Sequence, residues 1–397
     1  MPPVTKPMLM AEFDDVVTDT AVTRDRVEAF LDDPRTIGRR FLDTYPVWQT
    51  SGTTGEPGIF LHDDRSLVIG DAVGDRWTIP QLLRGEVLHG LLRQNWRIAM
   101  VAVTGGPYAA FSGLTMFRRE YPFLRDRLEI VSPTDPLETL VAALNDYRPA
   151  VLVGYATVLV AFAREQEAGR LDIAPAYILP SGEPITDDEK RVLRAAFGGR
   201  VQELYAATEF FTLAGECGAG NLHANTDWFV IEPVDADYDP VAPGTPGATV
   251  LVTSLANRIF PLVRYDLGDS VTLFEEPCRC GSPFPVLEIE GRQGDVLHFE
   301  DEAGATVPVF PLAISSVVEA VDGVHRAQLV QTDPVTVTVR LDVAPGADAS
   351  AVWAAVQTAL DAFLTDHGIT GVAVEPGDSP PERNPRSGKF RHVWAAG

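Results

Sequence analysis

The chain has 397 residues, 45% of them hydrophobic and 22% charged, a composition that excludes general disorder and allows two or three domains or one large domain with a small one. Its formal charge of −24 argues against a nucleic-acid backbone or an anionic membrane as the main partner, and a solubilising acidic surface accounts for it. Lys6 is followed by Glu12, Asp14 and Asp15 rather than by an apolar leader, and three cysteines cannot all pair, so a reducing cytoplasm is the expected location.

Thr23 is placed to cap a helix carrying Val27, Ala29, Phe30 and Leu31. The run Thr50-Ser51-Gly52-Thr53-Thr54-Gly55-Glu56-Pro57 follows. Its glycines permit close backbone approach, and successive N–H groups with hydroxyls form a concavity that suits phosphate. An ordinary surface turn has the same composition, and the G-K-[ST] ending of a Walker loop is absent. Short apolar runs at 98–103, 151–153, 177–179 and 201–204 read as strands, several separated by helical segments as βα units require. The apolar stretch 150–163 is too short to span a membrane and reads as a buried strand leading into a helix. Thr186 and Glu189 have capping-box spacing.

A Pro/Gly-rich stretch at 240–247 precedes a strand-like run at 248–254. Beyond residue 295, Val335, Val337, Val339 and Leu341 alternate with polar residues, as in a half-buried antiparallel strand. Val352, Val356, Ala359, Leu360 and Phe363 share one helical face. This tail reads as a small α+β unit of about 100 residues, enough for its own core.

Five further motifs follow the first loop in order. They are Ser181-Gly182-Glu183-Pro184; Tyr205-Ala206-Ala207-Thr208-Glu209; Arg264-Tyr265-Asp266-Leu267-Gly268-Asp269; Gly291-Arg292-Gln293-Gly294-Asp295; and Pro385-Arg386-Ser387-Gly388-Lys389-Phe390-Arg391. In this order the series resembles the adenylate-forming superfamily of acyl-CoA synthetases, adenylation domains and luciferases. Glu216-Cys217 with Leu222-His223, Cys278-Arg279-Cys280-Gly281, and the run from Arg148-Pro149 to Gly154-Tyr155 look most like the phenylacetate–CoA ligase branch.

The resemblance implies an α/β fold with a large N-terminal core of mixed sheets and helices, residues 1–292, and a mobile α+β lid, residues 293–397, hinged at Gln293 and Gly294. It also implies an ATP-dependent reaction in which a carboxylic acid becomes an acyl adenylate and a nucleophile then displaces AMP. Thr50, Ser51, Gly52, Thr53, Thr54 and Gly55 would hold phosphates. Gly182, Glu183, Pro184 and Tyr205 would line adenine, and Asp269 and Arg292 would meet the ribose. Thr208 and Glu209 belong to the catalytic set, with Glu209 a ligand for Mg2+, and Lys389 would bridge carboxylate and α-phosphate. Taken singly, Asp269 reads as a turn residue, Glu209 as a solvated helix start and Lys389 as a surface lysine. The acid pocket would fall at 105–111 and 154–156, lined by Tyr108, Phe111 and Tyr155, which suits aromatic or compact acids.

Cys217, His223, Cys278 and Cys280 are four soft or borderline ligands. Spacing alone leaves free cysteines beside a surface histidine equally open; the resemblance implies structural Zn2+. The chain departs from the superfamily pattern at Gly58, where a lysine is usual, and at Ala206, where glycine is usual. The acceptor is expected to be a thiol, coenzyme A or the pantetheine of a carrier protein, with an amine acceptor as the alternative. A third reading, a non-catalytic nucleotide-binding protein, has no need of Lys389, Glu209 and Asp269 together.

Overall fold

The structure is a computed structural model and describes residues 1–50, 58–290, 296–301, 304–382 and 392–396. It is mixed α/β, as expected. A five-stranded sheet runs in the order Leu128–Val131, Ile98–Val101, Val151–Gly154, Tyr177–Pro180, Arg200–Val201. Every neighbouring pair in it is parallel. Parallel strands are covered on both faces, which is why these segments read as continuous apolar runs rather than alternating ones. The stretch 150–163 is indeed a strand followed by the helix Ala156–Glu167.

The helix Asp187–Phe197 opens with the anticipated capping box, in which Glu189 N–H donates to Thr186 Oγ1 at 3.2 Å and Thr186 N–H to Glu189 Oε2 at 2.7 Å. Thr23 does stand before the helix Arg24–Leu31, but its side chain makes no capping bond. The first helical amide, from Arg24, donates instead to Asp14 Oδ1 at 2.6 Å, so a carboxylate ten residues upstream does the work of the cap.

The apolar run 201–204 is not one strand. Val201 ends the parallel sheet, and Leu204–Ala207 begins a second, antiparallel sheet ordered Ser270–Phe274, Val286–Glu290, Leu222–Ala224, Phe211–Glu216, Leu204–Ala207. Gln202 is the joint. Fully buried, its amide donates to the carbonyls of Trp77 at 2.9 Å and Glu216 at 2.6 Å, and its Oε1 accepts from Tyr177. A three-stranded sheet of Phe229–Val234, Thr249–Ser254 and Tyr265–Asp266 adjoins, and a two-stranded ribbon, Val47–Gln49 with Ile59–Leu61, brackets the first motif loop.

Toward the C-terminus a four-stranded sheet has the order Ala373–Pro376, Thr336–Val343, Val324–Asp333, Val393–Ala395. The alternating segment is a strand from Thr336, antiparallel to one neighbour and parallel to the other, with Val337 and Val339 buried and Val335 exposed. The helices Pro311–Glu319 and Ala349–Asp366 pack on it. Leu297, Phe299 and Val309 belong to the same apolar cluster as Leu152, Leu159 and Phe162, so the tail shares a core boundary with the parallel sheet. Gln293 and Gly294 lie outside the described residues.

Candidate active site

The joint between the two sheets opens a cavity of about 300 Å³. Thr50, Gly182, Glu183, Pro184, Tyr205, Thr208, Glu209 and Asp269, named above from four separate motifs, all line it. Tyr205 Oη donates to Asp269 Oδ2 at 2.8 Å, closing one wall. Gly182 has φ +75, and a Cβ there would sit 3.0 Å from the Tyr155 ring, so glycine serves both the turn and the close approach.

Glu209 is buried, accepting from Tyr265 Oη at 3.3 Å. Burial raises its pKa, and the positive charge of Lys6 opposes the rise. Glu183 is partly buried: its oxygens accept from Thr157 N–H at 2.9 Å and from Thr157 Oγ1 at 2.8 Å, at the first turn of the helix Ala156–Glu167. Desolvation pushes Glu183 up to about 7, resisted by those hydrogen bonds. Glu183 thus ties the Gly182 turn to a helix end as well as lining the cavity.

Three contributors were given no role by the sequence, and two of them, His62 and Lys6, lie outside every motif. His62 Nε2 lies 3.0 Å from the Thr208 carbonyl, its ring packed against Trp48 and Phe211. Burial depresses its pKa to about 4, so the ring is neutral and donates from Nε2, pinning the Thr208–Glu209 turn. Tyr265 holds Glu209, and Lys6 projects into the cavity from the first helix.

Tyr108 and Tyr155 are close enough for each other's charge to matter, and burial pushes Tyr155 up to about 12. Tyr155 Oη accepts from Val103 N–H at 3.4 Å. Phe111 is on the first turn of the helix Ala109–Glu120, partly buried. A second cavity, of about 500 Å³, lies between the helix Ala156–Glu167 and the ribbon Leu297–Glu300 with Thr306–Val309, and shares Glu183 and Pro184 with the first. Ser51, Gly52, Thr53, Thr54, Gly55, Arg292 and Lys389 lie outside the described residues.

On the far side of the antiparallel sheet, Cys217, His223, Cys278 and Cys280 bring one ligand atom each within 4.8 Å of the others. Cys217 and Cys278 sulfurs are 4.0 Å apart, and Cys280 Sγ is 3.3 Å from His223 Nε2. Zn–S bonds of about 2.3 Å at tetrahedral angles put sulfurs roughly 3.8 Å apart, so the donor set fits. His223 Nδ1 donates to the Phe284 carbonyl at 2.7 Å, which leaves Nε2 with its lone pair toward the cysteines. Amides of Ala219 and Ser282 point at Cys217 and Cys280 sulfurs at 3.3 and 3.4 Å, as thiolates favour.

No protein-family model matches the chain. Protein CapK of Staphylococcus aureus is 27% identical over 217 residues, 53% of this chain and 46% of CapK. Indoleacetate–lysine synthetase of Pseudomonas savastanoi is 28% identical over 135 residues, 33% of this chain and 31% of that protein. The matched region spans less than half the length of either curated relative. Among solved structures, 2-hydroxyisobutyryl-CoA ligase with 2-HIB-AMP and CoA in the thioesterification state gives a TM-score of 0.56 at 19% identity, covering 99% of this chain and 80% of that one. The same ligase in the postadenylation state with R3-HIB-AMP gives 0.51 at 18% identity, covering 99% and 79%. Covering 99% of this chain, the first of these matches shows that the chain has the fold of that acyl-CoA ligase.

Proposed function

We infer that the chain is an ATP-dependent, AMP-forming ligase that activates a carboxylic acid as an acyl adenylate and passes the acyl group to a thiol. The observation that carries this reading is the convergence of Thr50, Gly182, Tyr205, Glu209 and Asp269 on one cavity from positions up to 219 residues apart. A cavity with a hydrogen-bonded Asp–Tyr pair on one wall and a buried carboxylate on another suits a ribose and a phosphate-bound cation. The ligase of the same fold was seen with an acyl-AMP and CoA.

In the first step a carboxylate oxygen attacks the α-phosphorus and pyrophosphate leaves with the bond pair. In the second a nucleophile attacks the acyl carbonyl and AMP leaves. The first step brings two anions together, so cations and aimed donors set its rate. Asp269, oriented by Tyr205, accepts from the ribose hydroxyls. Glu209, held by Tyr265 on one side and by His62 through the Thr208 carbonyl on the other, would hold Mg2+, which supplies charge neutralisation on the phosphates. Residues 1–292 form the core and 293–397 the lid in this reading, with Gln293 and Gly294 as hinge, Arg292 near the ribose and Lys389 as the lid's cation. In this reading Tyr108, Phe111 and Tyr155 would line the acid pocket, which suits an aromatic or compact acid.

Cys217, His223, Cys278 and Cys280 would hold one structural Zn2+, a closed four-ligand site that clamps the loop after residue 277 to the antiparallel sheet. An ATP-consuming enzyme with three unpaired cysteines suits the cytoplasm.

An amine acceptor is the second reading, and two observations favour it. The similarity to indoleacetate–lysine synthetase is one. The other is that Arg340, one of two lid arginines available for coenzyme A phosphates between 296 and 382, is engaged with Glu382 at 3.0 Å. The test is release of pyrophosphate with a panel of carboxylic acids, followed by AMP release from the preformed adenylate with coenzyme A, pantetheine or amines. Acid-dependent pyrophosphate release supports the ligase. Acceleration of AMP release by amines and by neither thiol replaces the thiol with the amine.

A further inference from the structure

The nucleotide cavity is poor in positive charge. Glu183, Glu203, Glu209 and Asp269 line it, and among the described lining residues the only lysine or arginine is Lys6. The loop between Thr50 and Gly58 contains no lysine or arginine either. A triphosphate with about four negative charges in such surroundings calls for a fixed cation beside it.

Lys6 is fixed. The segment before it pairs with a strand of the core: Val4 N–H donates to the Arg264 carbonyl and Asp266 N–H to the Val4 carbonyl, each at 2.9 Å. One turn on, Leu9 and Met10 are buried, and Met10 Sδ accepts from Ile59 N–H at 3.4 Å. These contacts set the Lys6 stem against the base of the first motif loop. That base is closed by two hydrogen bonds, Thr50 N–H to the Gly58 carbonyl and Gly58 N–H to Thr50 Oγ1, both 2.9 Å. Lys6 Nζ reaches the same Thr50 Oγ1 at 3.4 Å.

Gly58 shows why the cation comes from elsewhere in the chain. A Cβ at that position would lie 2.6 Å from Phe60 Cε2 and 3.2 Å from Lys6 Cδ. The buried Phe60 ring and the Lys6 stem fill the space that any side chain at 58 would need.

We propose that Lys6 is a phosphate-contacting residue, its ammonium standing at the neck of the loop to meet the β- and γ-phosphates of ATP and then the departing pyrophosphate. The inference rests on the ligase reading above. Lys6 transfers no proton; its ammonium donates hydrogen bonds while the bond between the α-phosphorus and the bridging oxygen breaks and pyrophosphate takes the electron pair.

The experiment compares ATP, AMP and pyrophosphate binding by calorimetry in the full chain and in Lys6→Met and Lys6→Arg, alongside acid-dependent ATP–pyrophosphate exchange. The expected result is about tenfold or greater weakening of ATP and pyrophosphate binding in Lys6→Met, with AMP affinity unchanged because AMP lacks the outer phosphates. Lys6→Arg should retain most of the ATP affinity. Equal ATP affinity in Lys6→Met and the parent, or equal losses for ATP and AMP, would overturn the assignment while leaving the ligase reading intact. A parent chain that neither binds ATP nor shows exchange would overturn both. A thermal melt of each variant shows whether the fold is kept, and Lys6→Gln replaces Lys6→Met if the latter melts early.

Discussion

Tyr205 Oη donates to Asp269 Oδ2 at 2.8 Å, linking one edge strand of the antiparallel sheet, Leu204–Ala207, to the residue that precedes its opposite edge strand, Ser270–Phe274, 64 residues later. The bond fixes one oxygen of a carboxylate that lines the cavity. Asp269→Ala should weaken AMP binding about 10- to 100-fold, the effect of losing charge-assisted hydrogen bonds of about 1.5–3 kcal/mol. Tyr205→Phe should cost less, because the carboxylate remains but is less well aimed. Calorimetric titration with AMP checks both, and an unchanged affinity in Asp269→Ala removes the residue from the nucleotide site.

The cysteine–histidine cluster predicts about one zinc per chain in protein purified without a histidine tag. Cys278→Ser should lose the metal and lower the melting temperature, since a site assembled only in the folded chain turns metal-binding free energy into folding free energy. Elemental analysis well under one zinc per chain in the parent protein counts against the site.

Lys190 lies between Glu203 and Glu216, at 2.7 and 3.0 Å, with all three side chains largely out of water. Glu203 also lines the cavity that holds Tyr205, Glu209 and Asp269, so this ion cluster anchors the joint on which that cavity is built. Lys190→Met leaves two carboxylates facing each other and should cost about 3–5 kcal/mol, read by denaturant unfolding. A loss below about 1 kcal/mol would mean that water reaches the cluster.

Glu319, on the helix Pro311–Glu319, has a carboxylate oxygen sealed from solvent without a hydrogen-bond partner, facing Lys6 and Tyr108. Burial pushes its pKa from 4.5 up to about 8, with the Lys6 charge opposing. The native state therefore holds this proton at pH values where the unfolded chain has released it. Stability falls as pH rises from 4.5 toward 8 and is level above that. Glu319→Gln should match the parent near pH 5 and exceed it at pH 8 by on the order of 2 kcal/mol, discounted because the side chain is partly exposed. Parallel stability curves for the two proteins across that range would contradict the assignment.

What could be read from the sequence divides along physical lines. Glu209 and Asp269 could be singled out because each sits in a short linear run, and the structure brings both to one cavity. The strands at Ile98–Val101 and Val151–Gly154 were legible because burial on both faces leaves an unbroken apolar run. The split after Val201 was not, since it depends on Gln202 finding the Trp77 and Glu216 carbonyls, contacts made 125 and 14 residues away. His62 and Lys6 were silent for the same reason: a single histidine next to Asp63 or a single lysine in a first helix has no periodicity, and each acquires its role only by reaching across the fold. Thr23 looked like a cap by residue type, but Asp14 took the amide first.

The central claim is that the chain makes an acyl adenylate, and Lys389 gives it the sharpest test. Acid-dependent exchange of labelled pyrophosphate into ATP reports the first step alone, without any acceptor. The parent protein should exchange with at least one carboxylic acid, and Lys389→Ala should be about 10²–10³ slower, the usual effect of removing one preorganised charge contact to the reacting atoms. Exchange in Lys389→Ala at the parent rate, or no exchange by the parent with any acid across a broad aromatic and aliphatic panel, would contradict the account.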